Sequence, residues 1–130
     1  MAKGARTQGS KLAVLKLDDC RLRAVGAASI ASLLSLSHSC LHELGLAGNG
    51  IGDEGLLHLA HGLQRNKKLT TLCLARNRIG HGRIAEMAVS IEAHEALSDL
   101  DFSDNQLGFS GAQCLAAALL GAPELQCLRL

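Results

Sequence analysis

The chain has 130 residues, the length of one domain, with 48% hydrophobic residues and a formal net charge of +1. So small a charge offers no broad field to draw in nucleic acid or an anionic membrane, and no stretch approaches the roughly 20 apolar residues of a membrane span. The only aromatics are Phe102 and Phe109, so a core must come from many small, regularly spaced aliphatic contacts.

Residues 1–11 are polar, with Lys3 and Arg6 and no apolar run of the signal-peptide kind. Ala2 stands where N-myristoylation requires glycine. This segment is expected to be a flexible lead into one repeat domain over residues 12–130. From Leu12 onward one pattern recurs: Leu12-x-x-Leu15-x-Leu17, Leu41-x-x-Leu44-x-Leu46, Leu69-x-x-Leu72-x-Leu74, Leu97-x-x-Leu100-x-Phe102 and Leu125-x-x-Leu128-x-Leu130. The copies start 29, 28, 28 and 28 residues apart. Three residues after the last apolar position stand Cys20, Asn49, Asn77 and Asn105, and two further on Leu22, Ile51, Ile79 and Leu107.

Each copy changes period partway. Its first part alternates apolar and other residues with the period of a strand. Beyond the Asn or Cys, apolar residues take helical spacing: Leu56, Leu59, Ala60 and Leu63; then Ile84, Met87, Ala88 and Ile91; then Leu115, Ala116 and Leu119. One coil therefore reads as a short strand, a turn and a helix of about three turns. A single coil cannot bury enough apolar surface to offset its own ordering, whereas stacked coils share one continuous core. The expected fold is α/β: a right-handed solenoid of about four and a half repeats, with parallel strands on a concave face and helices on the convex one.

The pattern L-x-x-L-x-L-x-x-N/C-x-L, at 28–29 residues with a helix in each copy, resembles the ribonuclease-inhibitor-like class of leucine-rich repeats. The resemblance covers residues 12–130, and the exchange of Cys20 for Asn is itself a feature of that class. It implies a fold more than a function, because this coil serves inhibitors, sensors, GTPase regulators and scaffolds alike. A narrower likeness lies in Arg76-Asn77-Arg78 and the helix after it, which is similar to one repeat of the Ran GTPase-activating protein family. Gly82 comes one residue before the expected glycine position, which Arg83 fills, and that family's repeat has the same early glycine. Arg76, Asn77 and Arg78 carry the likeness, with no catalytic role attached.

Several groups invite chemical readings that simpler ones outweigh. Cys20, Asn49, Asn77 and Asn105 sit where a strand turns outward, and an amide there satisfies backbone groups left unpaired by the turn. Gly52, Gly55, Gly80, Gly108 and Gly111 contain no P-loop pattern, and Gly55 and Gly111 recur at one repeat position where backbone passes closely. His58 and His61, one turn from Glu54, read as a solvated helix face and no metal site. Arg65, Lys67 and Lys68 read as a solvated loop, lacking aromatic platforms for nucleic acid. Cys73 and Cys127 have no histidine at matching positions, so no catalytic thiol, cofactor or enzymatic function is expected. Five cysteines without a CxxC pair read as free thiols in a reducing compartment, so the protein is expected inside the cell, in the cytoplasm.

The inner sheet is the informative surface. With the leucines turned inward, the residues between them form lateral ladders: Lys16, Gly45, Cys73, Asp101, Arg129; and Val14, Glu43, Thr71, Asp99, Cys127. Asp19, Gly48, Arg76 and Asp104 follow just beyond. Three carboxylates, Asp99, Asp101 and Asp104, gather on one coil and need nearby cations, for which Arg76 and Arg129 are the candidates. The expected partner-binding set is Lys16, Glu43, Thr71, Arg76, Asp99, Asp101, Asp104 and Arg129. Three functions stay open: a protein-interaction module, a regulator of a small GTPase, and a structural segment of a longer solenoid. The last follows from a chain that stops at Leu130 in mid-strand, without a polar cap, which also predicts self-association through bare ends.

Overall fold

The computed structural model describes residues 11–130. The expected flexible segment, residues 1–11, lies outside the described residues except for Lys11. Strand and helix alternate along the chain: β1 (Val14–Lys16), α1 (Arg23–Leu34), β2 (Glu43–Gly45), α2 (Gly52–Arg65), β3 (Thr71–Cys73), α3 (Ile84–Ala93), β4 (Asp99–Asp101), α4 (Gly108–Leu119) and β5 (Cys127–Arg129). The strands form one parallel sheet in the order β1-β2-β3-β4-β5, each paired with the next coil's strand. Register sets Val14, Glu43, Thr71, Asp99 and Cys127 in one row, and Lys16, Gly45, Cys73, Asp101 and Arg129 in another. Between these rows Leu44, Leu72 and Leu100 point the other way and are fully buried, as alternation along a strand demands. The chain is an α/β leucine-rich-repeat-type solenoid.

The core runs the length of the stack. Leu46, Leu74 and Phe102 fill one repeat position, Leu41, Leu69 and Leu97 another, and Ile51, Ile79 and Leu107 a third, all in one apolar cluster. The helices close it: Leu56, Leu59 and Leu63 from α2 and Ile84, Met87 and Ile91 from α3 are buried. Gly62 lets α1 and α2 approach closely, since a Cβ there would lie 2.7 Å from the Ala31 carbonyl oxygen. Gly55 is equally constrained, for its Cβ would collide with Ile51 and meet Ala27 at 3.1 Å.

One helix departs from expectation, and one from the other helices. In α4, Leu115 is buried as predicted, but Ala116 and Leu119 are exposed and Ala118 turns inward instead. In α2 and α3 the equivalent residues, Ala60, Leu63, Ala88 and Ile91, are covered by the following coil's helix; α4 is the outermost helix described. The second departure is α3, which starts at Ile84, although Arg23, Gly52 and Gly108 open the other helices at the position equivalent to Gly80. Those three openers have φ of 59°, 66° and 65°, and Gly80 does not share that left-handed turn. Its amide instead donates to Asp53 Oδ1 at 2.8 Å, so the chain enters the third helix by a longer route.

Candidate protein-binding surface

The turn that leaves each strand is held by amides reaching from one coil to the coil before it. Asn49 Oδ1 accepts from the amides of Cys20 (2.9 Å) and Leu22 (3.2 Å), while its Nδ2 donates to the carbonyls of Leu17 and Leu46. Asn77 repeats this on the amides of Asn49 and Ile51 and the carbonyl of Leu46. Asn105 does so on those of Asn77 and Ile79 and the carbonyl of Leu74. Cys20, at the same repeat position, is exposed, and its Sγ reaches only the Asp18 carbonyl. The ladder matters for function because it fixes the strand ends, and with them the side chains displayed beside the sheet.

On the sheet's solvent face, charged residues pair toward both ends. Lys16 Nζ lies 3.2 Å from Glu43 Oε2, and Arg129 Nη1 lies 2.8 Å from Asp99 Oδ1. That bond raises the Arg129 pKa further, since its charged form is the one the Asp99 carboxylate holds. The middle is neutral and small, built from Gly45, Thr71 and Cys73. Burial pushes the Cys73 thiol up, with Asp101 and Asp18 adding to the effect against a bond from the backbone at Ala75, which is the reverse of an activated nucleophile.

Arg76 does not serve the acidic coil as its neighbourhood in sequence suggested. It turns toward the N-terminal end, where its Nη1 sits 3.2 Å from Asp19 Oδ1, and the hydrogen bond to Asp19 raises its pKa. The physical reason is the intervening Gly48, which has no side chain to keep the two apart: a Cβ there would collide with Asp19 and come within 2.8 Å of Arg76 Nη1. Asp101 is therefore left to hold the Ser103 amide at 2.8 Å, and Asp104 is exposed with φ of 57°. Among the described residues, neither Asp101 nor Asp104 lies within an ion pair. Asp18, which sequence reasoning missed, likewise lacks one and accepts from the Ala47 amide at 2.9 Å. Its signal was present only as a polar residue directly after an LxL triplet.

Residues 37–60 and 96–116 match the Leucine Rich repeat family. Over 57 residues the chain is 44% identical to a ribonuclease inhibitor of Sus scrofa, and over 64 residues 41% identical to NACHT, LRR and PYD domains-containing protein 12 of Mus musculus. The chain carries leucine-rich repeats, similar in sequence to those of the ribonuclease-inhibitor-like class. The matches take in 44% and 49% of the chain but only 12% and 6% of those relatives, so the chain spans a small part of either. In three dimensions it superposes on the actin-binding site 2 segment of leiomodin-1 with a TM-score of 0.85, over 95% of this chain and 73% of that one. At 17% identity that likeness is one of fold.

The remaining chemical candidates stay apart. His58 and His61 border a shallow groove of about 470 Å³ between α1 and α2, on the helical side, with Ala28, Ser32 and Gln64. Among the described residues no cluster of three or more His, Cys, Asp and Glu could hold a metal ion. All five cysteines are free, and no described helix is long and apolar enough to cross a membrane.

Proposed function

We propose that this repeat is a protein-interaction module that uses the solvent face of its sheet and the adjoining strand exits. The observation that carries the reading is the register: five strands held in one parallel sheet align two rows of side chains with no further folding required. Such a surface orders few groups when it binds, so little affinity is lost to conformational entropy. The flat centre at Gly45, Thr71 and Cys73 admits close approach, and Asp18, Asp101 and Asp104 supply carboxylates without cations of their own. A partner presenting basic side chains fits this arrangement, with Lys16, Glu43, Asp99 and Arg129 as exchangeable ion pairs around it. The likeness to a ribonuclease inhibitor, a protein named for binding another protein, supports the same reading. Charge reversal by Asp99→Lys together with Asp101→Lys is expected to weaken binding at least tenfold in a pull-down titration with a protein the wild-type chain retains. Unchanged affinity would overturn the proposal.

A second reading, regulation of a small GTPase, draws on Arg76-Asn77-Arg78. Asn77 is committed to the turn, but Arg78 is exposed and has no carboxylate within ion-pair distance among the described residues. Single-turnover GTP hydrolysis by a responsive GTPase should accelerate with the chain and slow again with Arg76→Ala or Arg78→Ala. No acceleration across a panel of small GTPases discards this reading.

A further inference from the structure

The loops that leave the strands form a second surface, with a charge opposite to that of the sheet. Gly48, Asn49 and Gly50 of the second coil floor a recess of about 290 Å³. Arg21 and Arg23 of the first coil stand on one side of it, and Arg76 and Arg78 of the third on the other. All four arginines are exposed, and only Arg76 has an acidic partner, Asp19. Arg21, Arg23 and Arg78 have no carboxylate within 4.0 Å among the described residues, and no acidic residue lines the recess. Even after Asp19 is set against Arg76, three positive charges remain around it.

The backbone makes this cluster more telling. Arg21, Arg23, Arg76 and Arg78 have φ of 55°, 59°, 55° and 58°, in the left-handed region. A side chain in that region costs about 1–2 kcal/mol per residue, and the second coil meets the same backbone demand with Gly48, Gly50 and Gly52 at no such cost. Arg23 carries a further penalty, because it opens α1, where the positive end of the helix dipole disfavours a cation. Side chains that break local rules this way are retained where they serve a function. The glycines in turn make room for them: a Cβ on Gly50 would press on Arg23, 3.1 Å from its Cδ, and one on Gly48 would displace the Arg76–Asp19 pair. Bare loop and flanking arginines together make one saddle.

We infer that this saddle is a docking site for an acidic, extended segment of a protein partner, its carboxylates gripped by Arg21, Arg23 and Arg78 over the glycine floor. The guanidinium fork matches a carboxylate bidentately, which gives such a site both strength and orientation. The bare glycine backbone between two pairs of arginines lets an extended segment lie along the floor within reach of both. The absence of any aromatic around it disfavours single-stranded nucleic acid, whose bases need stacking platforms. The site adjoins the sheet face proposed above, at the strand exits, but rests on other residues, Arg21, Arg23 and Arg78, and survives if the reading built on Asp99 and Asp101 fails.

The test uses the full chain and a fluorescein-labelled, glutamate-rich decapeptide, followed by anisotropy at low and physiological salt. Wild-type chain is expected to bind the peptide, and Arg23→Gln with Arg78→Gln to weaken it at least tenfold. The control Arg65→Gln with Lys68→Gln, an equal change of charge on the opposite turn, should leave binding within twofold. Gly50→Asn keeps every charge and a residue tolerant of left-handed φ, yet fills the floor, and it too should weaken binding about tenfold. Asp99→Lys with Asp101→Lys, on the sheet, should not reduce it. Equal losses in the two arginine–lysine pairs would reduce the effect to bulk charge and overturn the inference. So would an undiminished affinity in Gly50→Asn, no peptide binding by a folded wild-type chain, or binding of an oligodeoxynucleotide of equal charge in preference to the peptide.

Discussion

At the turn from strand to helix, Asn49, Asn77 and Asn105 repeat one solution, each amide closing the loop of the coil before it. At the turn from helix back to strand the same unpaired backbone is met differently in each of the first three coils. Ser39 Oγ accepts from the Leu41 amide at 3.4 Å; Asn66 Oδ1 accepts from Lys68 and Leu69 at 3.0 and 2.8 Å; His94 Nδ1 accepts from Ala96 and Leu97 at 3.1 and 3.0 Å. Asn66 and His94 also touch, with Nε2 of the ring 3.3 Å from Oδ1 of the amide. Buried amides and carbonyls must be paired wherever the chain turns inside a stack, but the chemistry that pairs them is free to vary. Repetition marks the first turn for any reader of the sequence. Only packing reveals the second.

The largest effect is expected from breaking the repeated turn. Asn77 is fully buried, and Asn77→Ala strands the amides of Asn49 and Ile51, while the Leu46 and Ala75 carbonyls lose one bond each but keep those from Asn49 Nδ2 and the Gly48 amide. At about 1–3 kcal/mol for each buried group left unpaired, partly relieved by relaxation, urea unfolding should show a loss of about 4 kcal/mol. A loss under about 1 kcal/mol would mean that water replaces the amide. Asn66→Ala, at the varied turn, is expected to cost less, about 2–3 kcal/mol, because the Lys68 amide it holds is only partly buried and can turn to water.

His94 sharpens the comparison through pH. Burial lowers its pKa, with the positive charge of Lys67 acting the same way and Glu95 opposing. Nδ1 accepts two backbone bonds, so the folded state needs that nitrogen unprotonated. The unfolded chain binds a proton below about 6.5 and the folded chain resists it, so the stability due to His94 is complete above that pH. It is lost as pH falls through the lower folded value. Asn66 fills the equivalent place one coil earlier, so His94→Asn should keep stability within about 1 kcal/mol at pH 8, as an isofunctional acceptor. It should also flatten the part of the acid-side decline that His94 causes in a pH series of urea midpoints; an unaltered decline would remove His94 as its source. The smallest effect belongs to the exposed pairs. Asp19→Ala should leave stability almost unchanged, since solvent screens the Asp19–Arg76 bridge, and thermal melts at two salt concentrations would check it.

The coil, its period, the strand register and the asparagine turn were legible in the residues alone, because each recurs at a fixed spacing and a stack of near-identical units must align identical positions. So were the two rows of the sheet face, down to which residues stand beside which. Tertiary structure alone decided what those residues do to one another. It sent Arg76 across Gly48 to Asp19, when proximity in the repeat favoured the aspartates of the next coil. It exposed Leu119 where Leu63 and Ile91 are buried, since burial depends on a neighbouring helix and not on the residue. It joined Asn66 to His94, two residues that share a repeat position but no chemistry a pattern could match, and it gathered arginines from the first and third coils around the glycines of the second. Periodicity specifies positions within a coil; pairing, burial and charge depend on what stands across the gap between coils.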